Sequence, residues 1–110
     1  MTELKRNKQS NMKRVFYLII TLTLSISSYS QTAIEYYKRG NAKEKLQDYT
    51  GAIADYTKAI ELNPKDPSAY YNRGLAKIDL SQKDSGCLDL SKAGEWGAER
   101  AYEMIKKYCQ

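Results

Sequence analysis

The residue types that most often carry out catalysis are scarce in this chain. Its 110 residues include no histidine, which removes both the commonest general base and the commonest metal ligand. Hydrolysis by an acid pair would need two carboxylates held in a cleft, and no spacing here indicates one. The carboxylates of interest lie beside lysines and are interpreted as a solvated charged face: Asp55, Glu61, Asp89 and Glu95. We therefore predict that the chain is not an enzyme and holds no metal ion or cofactor.

Two cysteines, Cys87 and Cys109, are the remaining reactive side chains. A nucleophilic cysteine needs a base or a cationic neighbour that favours the thiolate, and only scattered lysines surround these two. In an exported chain the expected state is a disulfide between them, and two independent free thiols are the alternative. Such a bond would close a loop of 22 residues and would stabilise the fold by about 3 kcal/mol on the chain-entropy model.

The elements that would position these residues form an internal repeat. A shift of 34 residues aligns residues 33–66 with residues 67–100 at 11 identical positions. The first members of the identical pairs are Tyr36, Tyr37, Arg39, Gly40, Ala42, Lys43, Leu46, Asp55, Lys58, Ala59 and Glu61. A fixed period of this length is typical of stacked repeat architectures.

The repeated unit resembles the tetratricopeptide repeat, a helix-turn-helix motif with the same period. The signature positions of that family are occupied in the first copy by Tyr36, Gly40, Ala52, Tyr56, Ala59 and Pro64. Both copies depart from the pattern where Arg39 and Arg73 replace the usual Leu, and where Lys43 and Lys77 replace the usual Tyr. Their stems would cover apolar surface while the charged heads reach water. The resemblance implies an all-α fold, a short α-solenoid of antiparallel helix pairs with two repeats and a capping helix.

Helical spacing of apolar residues divides the repeats into helix pairs. The predicted helices run over about residues 33–46, 50–62, 67–80, 84–93 and 98–108. Thr50 is predicted to cap the second helix, Asn63-Pro64 to end it, and Asp66-Pro67 to open the third. The small residues Gly40 and Ala52 suit the place where two helices cross.

The last segment, residues 98–109, is predicted to be an amphipathic helix that covers the open end of the second repeat. Trp96 is expected to pack beneath it as part of the core. Cys87 lies near the start of the preceding helix and Cys109 at the end of this one, so an antiparallel hairpin would bring the two together.

The first 30 residues differ in character from the rest. They carry five basic residues against Glu3, a net charge of +4, whereas residues 31–110 carry 13 basic and 12 acidic side chains. Nucleic-acid binding by the folded part therefore has little electrostatic support. A basic region followed by an apolar run from Val15 to Ile26 is typical of a secretory signal peptide, with Ser28-Tyr29-Ser30 as the cleavage signal. The run is too short for a membrane-spanning helix.

We accordingly predict a signal peptide over residues 1–30 and a mature repeat domain over residues 31–110. Cleavage near Ser30 and Gln31 would place the domain in a periplasm or outside the cell, with only transient membrane contact. The style of leader and repeat suggests a bacterial protein. Met12 is an alternative start of translation.

The resemblance also implies a binding surface, because the first helices of such repeats line a concave groove that takes peptide segments of other proteins. By position, the predicted partner-binding residues are Tyr37, Lys38, Asn41, Tyr71, Asn72, Leu75 and Ile78, with Ile34, Glu44, Lys45 and Asp79 beside them. Tyr37 and Tyr71 are expected to be exposed, whereas Tyr36 and Tyr70 are expected to be core. Asn41 and Asn72 match two positions of a clamp for C-terminal carboxylates, but Tyr37 replaces its first lysine.

Two functions follow as hypotheses. The first is an exported protein-protein interaction module that holds a peptide segment of a partner protein in this groove. The alternative is a self-associating protein that stacks through its first repeat, which lacks an N-terminal cap, and that buries Ile34 and Tyr36 in a homo-oligomer.

Overall fold

A computed structural model describes the backbone of residues 2–110 and the side chains of residues 11–19 and 32–110. The chain divides into two compact units, residues 1–31 and residues 32–110. The helices are α1 (Thr2–Lys45), α2 (Tyr49–Leu62), α3 (Pro67–Asp79), α4 (Lys83–Glu95) and α5 (Arg100–Tyr108). In the second unit, neighbouring helices pack in chain order, with α3 between α2 and α4, and α5 against α4. The described part of the chain contains no strand, and the predicted all-α solenoid of helix pairs is confirmed.

The first unit contains the predicted signal peptide. Apolar side chains from Val15 to Ile19 are exposed on α1. Within the residues that could be searched, no helix is long and apolar enough to cross a membrane. The predicted cleavage signal at residues 28–30 lies outside the side chains that the structure describes.

The core of the second unit consists mostly of small residues, so its helices approach closely. The buried apolar residues are Ala52, Tyr56, Ala59, Ile60, Ala69, Ala76, Leu90, Ala93 and Ala101. A Cβ added at Gly86 would lie 2.6 Å from the carbonyl oxygen of Gly74, so α3 and α4 touch through their backbones. Gly40 provides room in the same way for the ring of Tyr56 on α2.

The predicted N-cap of α2 was wrong by two residues. Asp48, not Thr50, caps this helix, because its carboxylate accepts a hydrogen bond of 3.0 Å from the backbone N–H of Gly51. Thr50 therefore lies inside the first turn. For α3 the prediction agrees with the structure, since Asp66 accepts from the backbone N–H of Ser68 and Pro67 is the first helical residue.

Trp96 is not a core residue as predicted, because 41% of it is exposed. Helix α4 continues to Glu95, and Gly97, with a positive φ of 109°, redirects the chain directly after Trp96. The indole ring lies on the surface beside the ammonium group of Lys65, 5.6 Å from the ring centroid. Under α5, Ala101 is fully buried, and the ring of Tyr102 contacts Gly94 although 56% of Tyr102 is exposed.

Helix α5 caps the second repeat and is covalently attached at its end. Cys87 on α4 and Cys109 after α5 form a disulfide, with the sulfur atoms 2.06 Å apart. Beside it, the ammonium group of Lys83 donates a hydrogen bond of 2.9 Å to the backbone carbonyl of Gln110. The C-terminus is therefore held against the first turn of α4.

Candidate binding groove

A groove of about 450 Å³ lies where three helices of the second unit meet. Helix α1 contributes most of its walls, α3 contributes Asn72, and α5 contributes its first residue, Arg100. The residues that line the groove are Tyr37, Asn41, Glu44, Lys45, Asn72 and Arg100. Three of the predicted partner-binding residues, Tyr37, Asn41 and Asn72, are thus brought together.

A chain of hydrogen bonds joins the groove residues of α1 and α3. The side-chain amide nitrogen of Asn72 donates to the hydroxyl of Tyr37 at 3.1 Å and to the carbonyl oxygen of Asn41 at 3.0 Å. Both protons of that amide are therefore used. Among the side chains that the structure describes, no partner is found for the hydroxyl proton of Tyr37, the amide protons of Asn41 or the amide oxygen of Asn72.

The floor of the groove is fixed from below by Tyr56 of α2. Its buried hydroxyl donates a hydrogen bond that is shared by two acceptors, the amide oxygen of Asn41 and a carboxylate oxygen of Glu44, each 2.7 Å away. Burial, followed by the hydrogen bond to Glu44, raises the pKa of Tyr56 far above its usual value. The phenol therefore remains a neutral donor at physiological pH.

The other predicted partner-binding residues do not line the groove. Lys38 is exposed, whereas Tyr71, Leu75 and Ile78 are half-buried. Ile78 packs against α4, where its Cγ1 would lie 2.8 Å from a Cβ at Gly86. Tyr71 was expected to be exposed with Tyr37, yet both rings are half-buried.

Arg100 is the groove residue that sequence reasoning missed. Its guanidinium carbon lies 4.1 Å from the centroid of the Tyr71 ring, a cation-π contact that fixes the side chain over α3. No ion pair joins Arg100 or Lys45 to a carboxylate within the side chains that the structure describes. Arg100 follows a turn in the sequence, and only its position as the first residue of the capping helix could have indicated a place in the groove.

Each repeat contains an ion cluster around a buried aspartate. In the second repeat, Arg73 donates from two nitrogens to the two carboxylate oxygens of Asp89, each at 2.7 Å, and the ammonium group of Lys77 lies 2.8 Å away. Arg73 also donates to the hydroxyl of Thr57 on α2 at 3.2 Å. This cluster therefore links α3 to both of its neighbours.

The first repeat contains the same three residue types in a looser arrangement. Lys43 lies 2.9 Å from Asp55, but Arg39 lies 3.6 Å away and its side chain is 59% exposed, against 15% for Arg73. The interpretation of Asp55 and Asp89 as part of a solvated face was wrong, since they are only 5% and 6% exposed. The sequence did contain a signal for these clusters, because the Arg, the Lys and the Asp of the first repeat all recur 34 residues later in the second.

The structure gives no indication of a metal centre in this unit. Within the part of the chain searched, no three side chains of His, Cys, Asp or Glu converge.

A family profile described as "TPR repeat" matches residues 40–80. The chain is 37% identical over 87 residues to a Protein SGT1 homolog of Oryza sativa subsp. japonica, which covers 77% of this chain and 24% of the relative. It is 39% identical over 67 residues to the Hsp70-Hsp90 organizing protein of Triticum aestivum, covering 61% of this chain and 12% of the relative. A TPR repeat-containing protein of Methanocaldococcus jannaschii is 32% identical over 111 residues, covering 76% of this chain and 19% of the relative.

The chain thus spans about a quarter or less of these relatives. The matches support a protein with tetratricopeptide repeats. They come from plants and an archaeon, so the bacterial origin suggested by the sequence stays a prediction.

Proposed function

We propose that this chain is an exported binding module that holds an extended peptide segment of another protein in the groove between α1, α3 and α5. The observation that carries the proposal is the convergence of Tyr37, Asn41, Asn72 and Arg100 from three helices around one opening. Such a groove offers contact area and paired polar groups without a catalytic group.

The free groups of the groove suit a peptide main chain. Asn41 retains amide protons that would donate to a peptide carbonyl, and Asn72 retains an amide oxygen that would accept from a peptide N–H. Tyr37 adds an aromatic surface at a low cost in side-chain entropy. An extended segment alternates donors and acceptors in the same way, so it would satisfy both amides together.

A clamp for a C-terminal carboxylate is less favoured. Such a clamp needs both asparagines to donate, but Asn72 already gives both amide protons to Tyr37 and Asn41. The hydroxyl of Tyr37 also stands where a clamp would place a cation. We therefore favour an internal segment of the partner as the ligand.

The relatives bear on the class of partner only. One of them is named an Hsp70-Hsp90 organizing protein, but this chain covers 12% of it. We take from this likeness only that the partner is another protein.

Selection of peptides from a random library displayed on phage would test binding in the groove. Peptides selected on the full chain should bind Arg100→Ala at least about tenfold more weakly, because a central cationic contact is lost. Lys107→Ala is the matched control, since it removes the same charge from an exposed position of α5. Equal binding by both variants, or equal loss in both, would contradict a site in the groove.

Export rests on the basic and apolar leader and on the presence of two cysteines that can pair. Intact mass of the protein recovered from its native cells, with and without thiol alkylation, tests it. We expect a chain that begins at Gln31, lacks two hydrogens and takes up no alkyl group. A full-length chain with two alkylated thiols would contradict export.

Self-association is a second candidate, favoured by the exposed N-terminal face of the first repeat. Ile34 is 54% exposed there, and Arg39 lacks the close partners that Arg73 has in the second repeat. If this face joins two copies, Ile34→Glu should abolish a concentration-dependent increase in mass in sedimentation experiments. Leu88→Glu is the control, since Leu88 is also exposed but lies on α4. A monomer at all concentrations would rule this candidate out.

A further inference from the structure

Helix α5 is weakly held by packing and strongly held by one covalent bond. It has nine residues, and Ala101 is the one that is buried. An isolated helix of that length is marginal in water, so its docking depends on attachments at its ends. At one end Cys109 is bonded to Cys87, and at the other Arg100 lies over Tyr71.

These two ends have different roles. The C-terminal end anchors α5 to α4, whereas the N-terminal end supplies one wall of the groove. Whatever releases α5 at Cys109 therefore also acts on Arg100. The helix therefore connects the disulfide to the groove that we propose as the partner-binding site.

We propose that the Cys87–Cys109 disulfide is a redox latch on the groove. The groove has all three walls when the bond is oxidised, and it loses the wall formed by α5 when the bond is reduced. This inference rests on the proposed function of the groove for its biological meaning, though not for its test. Both cysteines are half-buried rather than sealed in the core, so a thiol can approach them.

The chemical step requires a dithiol reductant. One thiolate of the reductant attacks a sulfur of the disulfide, the S–S bond breaks, and a mixed disulfide forms while the other cysteine leaves as a thiolate. The second thiolate of the reductant then attacks the reductant sulfur of the mixed disulfide, and the remaining cysteine leaves as a thiolate. The dithiol is oxidised to a disulfide, and its two electrons and two protons reduce Cys87 and Cys109 to thiols.

Once the bond is broken, α5 is held by its packing on α4, by the contact of Arg100 with Tyr71 and by the hydrogen bond of Lys83 to Gln110. Ala101 is the one residue of α5 that is buried in this packing, and terminal elements with few buried contacts open most easily. Opening would withdraw Arg100 and uncover Tyr71. The groove would then have two walls, formed by α1 and α3.

Hydrogen exchange of the full chain, with and without dithiothreitol, tests the latch. Reduction should accelerate amide exchange in residues 100–108 by about tenfold or more, and by a clearly smaller factor in residues 67–79. Nuclear magnetic resonance provides a second readout, because Arg100 side-chain protons above the Tyr71 ring should lose their ring-current shift on reduction.

The double variant Cys87→Ser/Cys109→Ser is the control and should behave like the reduced chain with or without dithiothreitol. Should that variant not fold, the reduced wild-type chain still gives the answer. Unchanged protection of α5 on reduction, or an equal acceleration in α3 and α5, would overturn the latch. Because no partner is needed, failure here leaves peptide binding intact, and failure to select peptides leaves the latch intact.

Discussion

The charged residues Arg73, Lys77 and Asp89 explain why this sequence departs from the usual pattern of its repeat. Buried charges are tolerated only when they are paired and hydrogen-bonded, and Asp89 has two cationic partners on α3. The Arg and Lys that replace apolar residues therefore depend on the Asp one helix later. The substitutions are coupled, and each repeat carries all three.

Removing Asp89 should destabilise the fold strongly. Asp89→Ala leaves Arg73 and Lys77 buried without their counter-charge, which costs about 3–5 kcal/mol for a buried pair. Chemical denaturation monitored by circular dichroism measures this loss. Asp79→Ala, at an exposed position of α3, is the control and should cost well under 1 kcal/mol, as is usual for surface sites. Similar losses in the two variants would contradict a cluster that stabilises the repeat.

Tyr56 should make the stability decrease at high pH. Its pKa is raised in the folded chain, so above the usual tyrosine pKa near 10 the folded state binds more protons than the unfolded state. The free energy of unfolding therefore falls as the pH rises beyond that value. Tyr56→Phe should lessen this fall, and should cost about 1 kcal/mol at neutral pH for the lost hydrogen bonds.

Absorbance near 295 nm follows the ionisation directly. In a pH titration of the wild-type chain, Tyr56 should ionise only when the protein unfolds. The variant Tyr56→Phe should lack this ionisation step. If that tyrosine ionises with the exposed ones while the fold persists, the buried hydrogen bond to Glu44 is absent in solution.

At the scale of helices, the period of the repeat predicted most of the fold. The helix pairs follow from apolar residues at helical spacing, and Asp66-Pro67 marked the start of α3. Thr50 was predicted as the N-cap of α2, but Asp48 is an equally good capping residue, and the turn at Gln47, with a φ of 60°, is followed by a helix that begins at Tyr49. Trp96 was misplaced because a large apolar residue usually packs in the core, whereas Gly97 turns it outward.

The contact of α3 with α4 leads to a prediction that opposes helix propensity. Gly86 lies one period after Ala52 of the first repeat, and Gly86→Ala would improve helix propensity by about 1 kcal/mol. However, the new Cβ would lie 2.6 Å from the carbonyl oxygen of Gly74, so the two backbones must separate. We expect a net loss of about 1–3 kcal/mol in thermal or chemical denaturation.

Ser85→Ala is the matched control for this prediction. It lies next to Gly86 on the exposed face of α4, where propensity alone decides. It should be neutral or slightly stabilising. A stabilising Gly86→Ala would mean that the helices are farther apart than the structure has them.

At the scale of the whole chain, the groove combines what the sequence predicted with what it could not. Tyr37, Asn41 and Asn72 were placed by position in the repeat, and they meet as expected. Ile78 was placed by the same rule but packs on α4, because Gly86 leaves space for it. Arg100 could not be placed, since its position depends on how α5 docks, and that docking is fixed by a disulfide 22 residues apart in sequence.

The central claim is that a partner segment lies in this groove, and nuclear magnetic resonance of side-chain amides tests it most directly. A selected peptide titrated into labelled full chain should shift the side-chain amide signals of Asn41 and Asn72. The amide of Asn63, which is exposed at the end of α2, should stay unchanged. Shifts confined to Asn63 or to the indole N–H of Trp96 would place the partner on another face and contradict the account.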